Sequence, residues 1–243
     1  MNYYVSGSSG FIGTAITAYL RNIGESVYRI PRHKTKKELI QLFSTDKPDV
    51  IIHLATYGNH YKAQKDFGEM IYTNILFTHN LLEAAQVTGC EKFYNFTATS
   101  VSGEFYYTTK ICAEMLAEKY GAINIRPYSV YGPGESRNKL IPTIIKNLCT
   151  GERMTLDGEA THAWIYIDDL VRGMFEGKTE LGGSEKISNI EVAHILEHIS
   201  GKELNYTLGK VRSYDNDNWT TPEGVNYTPL IEGLTKTYKY YKI

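Results

Sequence analysis

The sequence predicts an α/β fold with a doubly wound parallel sheet, and three observations carry that prediction. Short apolar runs alternate with longer segments of helical spacing through the first half of the chain. One run, Val50-Ile51-Ile52-His53-Leu54, is continuous enough to suit a strand buried on both faces. A turn with glycine at every third position, Gly7, Gly10 and Gly13, separates the first strand-like run from the first helical one.

Taken in order, the pattern predicts strands over residues 2–6, 26–30, 49–54, 92–97 and 122–125. Helices are predicted between them over residues 11–22, 36–43, 69–88 and 104–120. Strand and helix alternating at this spacing require right-handed crossovers between parallel strands. After Arg126 the pattern loosens, because Pro127, Pro133 and Pro142 together with several glycines break it into shorter elements. The expected division is therefore a domain over residues 1–126 and a smaller lobe over residues 127–243. Parts of the lobe are expected to return to the core, and the rest to lie over the carboxyl ends of the strands, where such sheets bind ligands.

Composition excludes several classes. The 26 basic and 27 acidic residues nearly cancel, so charge points to neither a nucleic-acid nor a membrane partner. There is no apolar run long enough to span a bilayer, and the first residues read as a strand rather than a leader. Cys90, Cys112 and Cys149 are few and scattered, which suits a reducing, cytoplasmic compartment better than a disulfide or zinc framework. The histidines show no metal-ligand spacing, and no metal is expected.

Two motifs carry chemistry. The glycine turn lets backbone N–H groups and a helix N-terminus approach a pyrophosphate closely. Tyr106 and Lys110 stand four apart at the start of a predicted helix, hence on one face. An ammonium beside a phenol favours the phenolate, which could then exchange a proton with a hydroxyl or ketone during hydride transfer.

Read together, Gly-x-x-Gly-x-x-Gly and the distant Tyr-x-x-x-Lys resemble the extended short-chain dehydrogenase/reductase superfamily, within its nucleotide-sugar epimerase, dehydratase and ketoreductase branch. Further segments match that branch along most of the chain. They are Asp49 to Ala55, Asn74 with Leu81-Leu82-Glu83-Ala84-Ala85, Arg126 to Gly134, Trp164 to Leu170, and Leu230 to Leu234. The resemblance implies a Rossmann-like sheet with a small C-terminal substrate-binding lobe, a nicotinamide dinucleotide cofactor and a nucleotide-sugar substrate. It also implies a homodimer formed through the long central helices. It places cofactor contacts at Gly7, Gly10, Phe11, Ile12, Gly13, Arg32, Leu54, Ala55, Asn74, Tyr106, Lys110 and Val130. Substrate contacts are implied at Thr97, Thr99, Ser129, Lys139, Arg153 and His162.

The departures from the family pattern set the details. The family's catalytic Ser or Thr falls on Ala98, which leaves Thr99 or Thr97 to polarise the reacting oxygen. Only Glu104 and Phe105 separate Gly103 from Tyr106, where many relatives carry a longer substrate loop. The Asp-Glu pair that dehydratases place after their threonine is missing, which argues against elimination. No carboxylate ends the second strand. Ile30-Pro31-Arg32-His33-Lys34 stands there instead, so NADP(H) is expected over NAD(H), with Arg32 on the 2′-phosphate. The family's diphosphate-binding Arg-Asp pair is replaced by His162 and Ala163, with Lys139, Arg153 and Arg137 as substitutes. The interval between Arg32 and Asp49 is too short for the family's third strand. These features favour a 4-keto reductase of deoxysugar synthesis, with a 4-epimerase and a non-catalytic cofactor-sensing module as the alternatives.

Overall fold

The computed structural model describes residues 1–58, 66–98, 105–210 and 227–242. The chain divides into two compact units, Met1–Arg126 and Pro127–Ile243.

The first unit runs β1 (Asn2–Ser6), α1 (Phe11–Asn22), β2 (Ser26–Ile30), α2 (Lys36–Asp46) and β3 (Val50–His53). There follow α3 (Phe67–Ile71), a π-helical turn (Tyr72–Leu76), α4 (Phe77–Thr88), β4 (Lys92–Phe96), α5 (Phe105–Lys119) and β5 (Ile123–Pro127). The strands pair in parallel in the order β5-β4-β3-β1-β2. The chain reverses its direction of travel across the sheet between β1 and β3, which opens a crevice at their carboxyl ends. Alternate side chains serve opposite faces. Tyr4, Ile30, Ile51 and Phe93 meet Leu39 and Phe43 of α2, Leu81 and Ala85 of α4, and Ala117 of α5 in one buried cluster. Val5 and Ile52 are buried on the other face, and α1, which packs on β1 and β2, buries Ile16 and Leu20. The predicted doubly wound parallel sheet is therefore present.

Differences from the sequence expectation have local causes. α2 continues past residue 43 because Thr45 bonds back to the Gln41 carbonyl (3.0 Å) and Asp46 accepts the Tyr4 hydroxyl (2.6 Å). Its start is fixed by a reciprocal cap between Thr35 and Glu38. The helix expected over residues 69–88 is interrupted by the π turn, whose wider winding follows hydrogen bonds made by Asn74. From β2 the chain passes through α2 straight into β3, as the short interval predicts. β2 is consequently the last strand at its end of the sheet among the described residues.

The second unit contains β6 (Ser129–Tyr131), α6 (Leu140–Thr150), β7 (Met154–Leu156), β8 (Thr161–His162), β9 (Trp164–Tyr166) and α7 (Ile167–Phe175). β10 (Glu180–Leu181), β11 (Ile187–Ser188), α8 (Asn189–Ser200), β12 (Tyr206–Leu208) and α9 (Leu230–Tyr241) complete it. β6 pairs with β9 and β7 with β12 in parallel, while β8 and β11 are antiparallel. α6, α8 and α9 pack together and bury Ile144, Ile145, Leu196 and Leu234. Buried Asp169, in the first turn of α7, accepts the Thr228 N–H at 2.6 Å and pairs with Arg172, tying α9's approach to α7. Among the described residues no helix is long and apolar enough to cross a membrane, and no cluster of side chains could hold a metal ion.

Candidate active site at the carboxyl ends of β1 and β3

The glycine turn leaves β1 in the left-handed region, with Gly7 at φ +70°. A Cβ on Gly7 would stand 2.8 Å from the Ala55 nitrogen, and one on Gly13 would stand 2.2 Å from the Gly7 carbonyl oxygen. Both contacts are with backbone, so neither can yield cheaply. The turn is thus compressed against the end of β3, and only glycine allows the approach. Gly10 caps α1 without a side chain, and the first intrahelical bond runs from Thr14 N–H to Gly10 C=O (2.8 Å). The N–H groups of Phe11, Ile12 and Gly13 are left without partners inside the helix, which is the donor array a diphosphate needs. The residues therefore fit a dinucleotide.

The segment after β3 is held by buried polar groups. Ser6 Oγ accepts the N–H groups of Leu54 and Ala55, each at 3.2 Å, and lies 2.6 Å from His53 Nδ1. His53 Nε2 lies 2.8 Å from Thr78 Oγ1, which in turn bonds the Asn74 carbonyl (2.8 Å). Burial, helped by the charge of Lys110, pushes His53 down to about 3, so the ring is neutral. A single direction satisfies the chain: the Ser6 hydroxyl donates to Nδ1, Nε2–H donates to Thr78, and Thr78 donates onward. Sequence reading missed Ser6 and His53 as network members, although a histidine inside an apolar strand was the visible signal.

Asn74 corrects another expectation. Its Oδ1 accepts Thr56 Oγ1 (3.0 Å) and Tyr57 N–H (2.8 Å), and its Nδ2 donates to Tyr57 C=O (2.8 Å) and Thr109 Oγ1 (2.9 Å). The amide's hydrogen-bonding capacity is fully used inside the protein. Asn74 holds the loop that lines the crevice and has nothing left to offer a cofactor.

Tyr106 and Lys110 sit in the first turns of α5, where the Thr109 hydroxyl donates to the Tyr106 carbonyl (2.7 Å). The Tyr106 phenol hydrogen-bonds Thr56, and burial raises its pKa above the ordinary tyrosine value against the smaller lowering effect of that bond. Lys110 is buried and donates to the Phe96 carbonyl. Burial brings it down to about 8, and Glu114 opposes the shift. The expectation that Lys110 favours the phenolate is not met in this arrangement. The ammonium is turned to the end of β4, and desolvation dominates the phenol.

Thr97 also departs from expectation. Its hydroxyl donates to Glu114 Oε2 at 2.5 Å, and the same carboxylate pairs with Arg126. Thr97 is buried and its proton is committed to the interior, which leaves its oxygen only as an acceptor. Glu114, one turn beyond Lys110, is a second residue that sequence reading passed over. Thr99 lies outside the described residues. Arg32 is exposed, and its neighbour His33 takes φ +60° and stacks on Tyr72 with centroids 5.6 Å apart.

The remaining candidates belong to the second unit. Ser129 and Val130 lie half-buried on β6, Lys139 caps α6, Arg153 is exposed before β7, and His162 on β8 packs edge-on against Trp164 (5.1 Å). Arg137 sits over the ring of Tyr241 at 5.8 Å.

These arrangements describe a pyridine-dinucleotide enzyme, and sequence comparison specifies its class. Residues 3–180 match the model of the NAD dependent epimerase/dehydratase family. The chain belongs to that family. It is 26% identical to a dTDP-glucose 4,6-dehydratase of Neisseria gonorrhoeae, over 79% of this chain and 75% of that protein. Among solved structures, a UDP-glucuronic acid 4-epimerase from Bacillus cereus, in complex with UDP-glucuronic acid and NAD, superposes with a TM-score of 0.85. That likeness has 25% identity and covers 100% of this chain and 99% of that one. A UDP-glucose 4-epimerase from Thermotoga maritima shares the fold with a TM-score of 0.83 at 20% identity, covering 100% and 99%.

Proposed function

We propose that the protein transfers hydride between a nicotinamide dinucleotide and a ring carbon of a nucleotide-linked sugar, in the direction of 4-keto reduction. One observation carries the reading. Ala55 packs against the glycine turn, and the adjacent Thr56 hydrogen-bonds the phenol of Tyr106, so phosphate donors and proton donor meet at one loop.

When bound, the dinucleotide supplies the hydride. Tyr106 supplies the proton. Burial keeps its phenol protonated, which suits donation to an oxygen gaining negative charge more than abstraction from an alcohol. Thr56 orients the phenol, and Asn74 fixes Thr56. Lys110, one helical turn away, is the group that would hold a ribose hydroxyl of the cofactor. Thr99 is the candidate to polarise the ketone, since Thr97 is committed to Glu114. Absence of an Asp-Glu pair after these threonines argues against elimination, although dehydratases are among the relatives. Epimerisation is the second reading, favoured by the likeness to the Bacillus cereus enzyme. It would recycle the cofactor, whereas reduction consumes it. A non-catalytic sensing role is disfavoured by the retained Tyr106 and Lys110.

For the cofactor, the turn Pro31-Arg32-His33-Lys34 offers no carboxylate to ribose hydroxyls, which supports NADP(H). A second copy of the chain would cover exposed Ile111 and Met115 on α5 and exposed Phe67 and Ile71 on α3, which packs beside it. Thermal shift against NAD, NADP and UDP-, dTDP-, GDP- and CDP-sugars identifies the ligands, because binding to the folded state raises its apparent stability. With the sugar found, Tyr106→Phe should retain cofactor binding and lose about 10²–10⁴-fold in turnover. Unchanged turnover overturns the assignment. Failure to bind any dinucleotide overturns the whole reading.

A further inference from the structure

Two successive residues at the end of β4 are gripped by two residues one turn apart on α5. Lys110 donates to the Phe96 carbonyl, and Glu114 accepts the Thr97 hydroxyl at 2.5 Å. Residues four apart share one helical face, so both grips come from the same side of α5. Thr97 is held from β5 as well, where its N–H donates to the Ile125 carbonyl at 2.9 Å. Arg126, the next residue on β5, pairs with the other oxygen of the Glu114 carboxylate. The backbone of α5 at this turn is also tied to the sheet. The Asn124 amide donates to the Glu114 carbonyl (3.2 Å) and accepts from the amide of Asn95 on β4 (2.8 Å). Glu114 is thus the point where polar contacts join α5, β4 and β5.

We infer that Glu114 is a positioning residue for Lys110: its carboxylate fixes the end of β4 on which the lysine is docked and supplies the negative charge that balances its ammonium. The inference rests on the assignment of Lys110 to the cofactor's ribose made above and extends it to a residue that acts through Lys110 rather than on the ligand. Three titratable groups surround Lys110 among the described residues. His53 of β3 is a neutral ring, Tyr106 on α5 is protonated, and Glu114 is the one whose charge opposes the loss of the lysine's proton. Burial favours that loss, because an ammonium taken out of water is penalised. An ammonium carries three donors, of which Phe96 takes one and the rest remain for a ribose hydroxyl. By keeping the proton on Lys110, Glu114 sets the alkaline limit of dinucleotide binding.

The titration of Lys110 is read on the full chain by nuclear magnetic resonance of lysine labelled with ¹³C at Cε, its signal assigned by its loss in Lys110→Met. In the unaltered protein the midpoint should lie near 8. Glu114→Gln keeps the shape of the side chain and removes its charge, and it should lower the midpoint by about one pH unit or more. Glu114→Asp should recover part of that shift. Thr97→Val removes the hydrogen bond and leaves the charge, so it should move the midpoint less. An unchanged midpoint in Glu114→Gln, or an equal shift in Thr97→Val, overturns the inference. If Glu114→Gln does not fold, Arg126→Gln decides: freeing the carboxylate of its partner should raise the midpoint, and an unchanged or lowered one overturns the inference. Affinity for NAD⁺ over the same pH range reads the role of Lys110 separately. It should fall as pH rises through each variant's own midpoint. If the midpoints move and the affinity stays flat, Glu114 keeps its role and the assignment of Lys110 to the ribose fails.

Discussion

His53 has both ring nitrogens bonded, to Ser6 and Thr78, and no room for a second ring proton without breaking one of those bonds. Its folded pKa of about 3 lies below the ordinary 6.5, so the unfolded chain takes up the extra proton first on acidification. Stability from this ring is fully present above pH 6.5 and is lost as pH falls from there toward 3. Urea unfolding between pH 7 and pH 4 should show this loss in the native protein. A His53→Asn variant should show a shallower acid slope by about one proton, and an equal slope would remove His53 from the account. Lys110 has the same sign on the other side of neutrality. With its folded pKa near 8 against 10.5, its buried charge costs most at lower pH, and the cost is relieved as pH rises through that interval. At this scale the sequence was legible where a residue type alone dictates the role. Gly7 and Gly13 needed only the spacing to be recognised. The direction in which Lys110 and Thr97 point depends on Phe96 and Glu114, and neither contact leaves a mark in local pattern.

The π turn shows the same division at the scale of elements. Helical periodicity over residues 69–88 is correct in kind, and the ends are close to those observed. The widened turn at Tyr72–Leu76 is invisible to periodicity because its cause is tertiary: Asn74 is drawn into bonds with Thr56, Tyr57 and Thr109. Asn74→Ala should therefore act on the element and the site together. It leaves buried partners unsatisfied, with an expected loss of about 1–3 kcal/mol in unfolding free energy. It should also weaken dinucleotide binding, because the loop after β3 loses its anchor. Denaturant unfolding and titration of the same variant read the two effects. Weakened stability with unaltered binding would mean that the loop keeps its shape without Asn74.

For the whole molecule, alternation of strand and helix was enough to give the parallel sheet and the short route from β2 to β3. The second unit was less legible, since its paired strands are two or three residues long and too short to show a period. Assembly is the property that a single chain records least directly, yet the exposed apolar side chains on α3 and α5 make a definite expectation. Sedimentation should give a dimer, and Met115→Glu, a charge at a 61% exposed position, should shift it to monomer without changing the fold. A monomeric native protein would leave that face unexplained. Among the described residues no strand lies beyond β2, which has its own consequence. An end strand presents unpaired backbone groups that can recruit a like strand from another chain and seed aggregates. Charge on such a strand is a safeguard against that, and Arg29 is the only charged residue in β2. Replacing it with an aliphatic residue would therefore leave the sheet's open side unguarded.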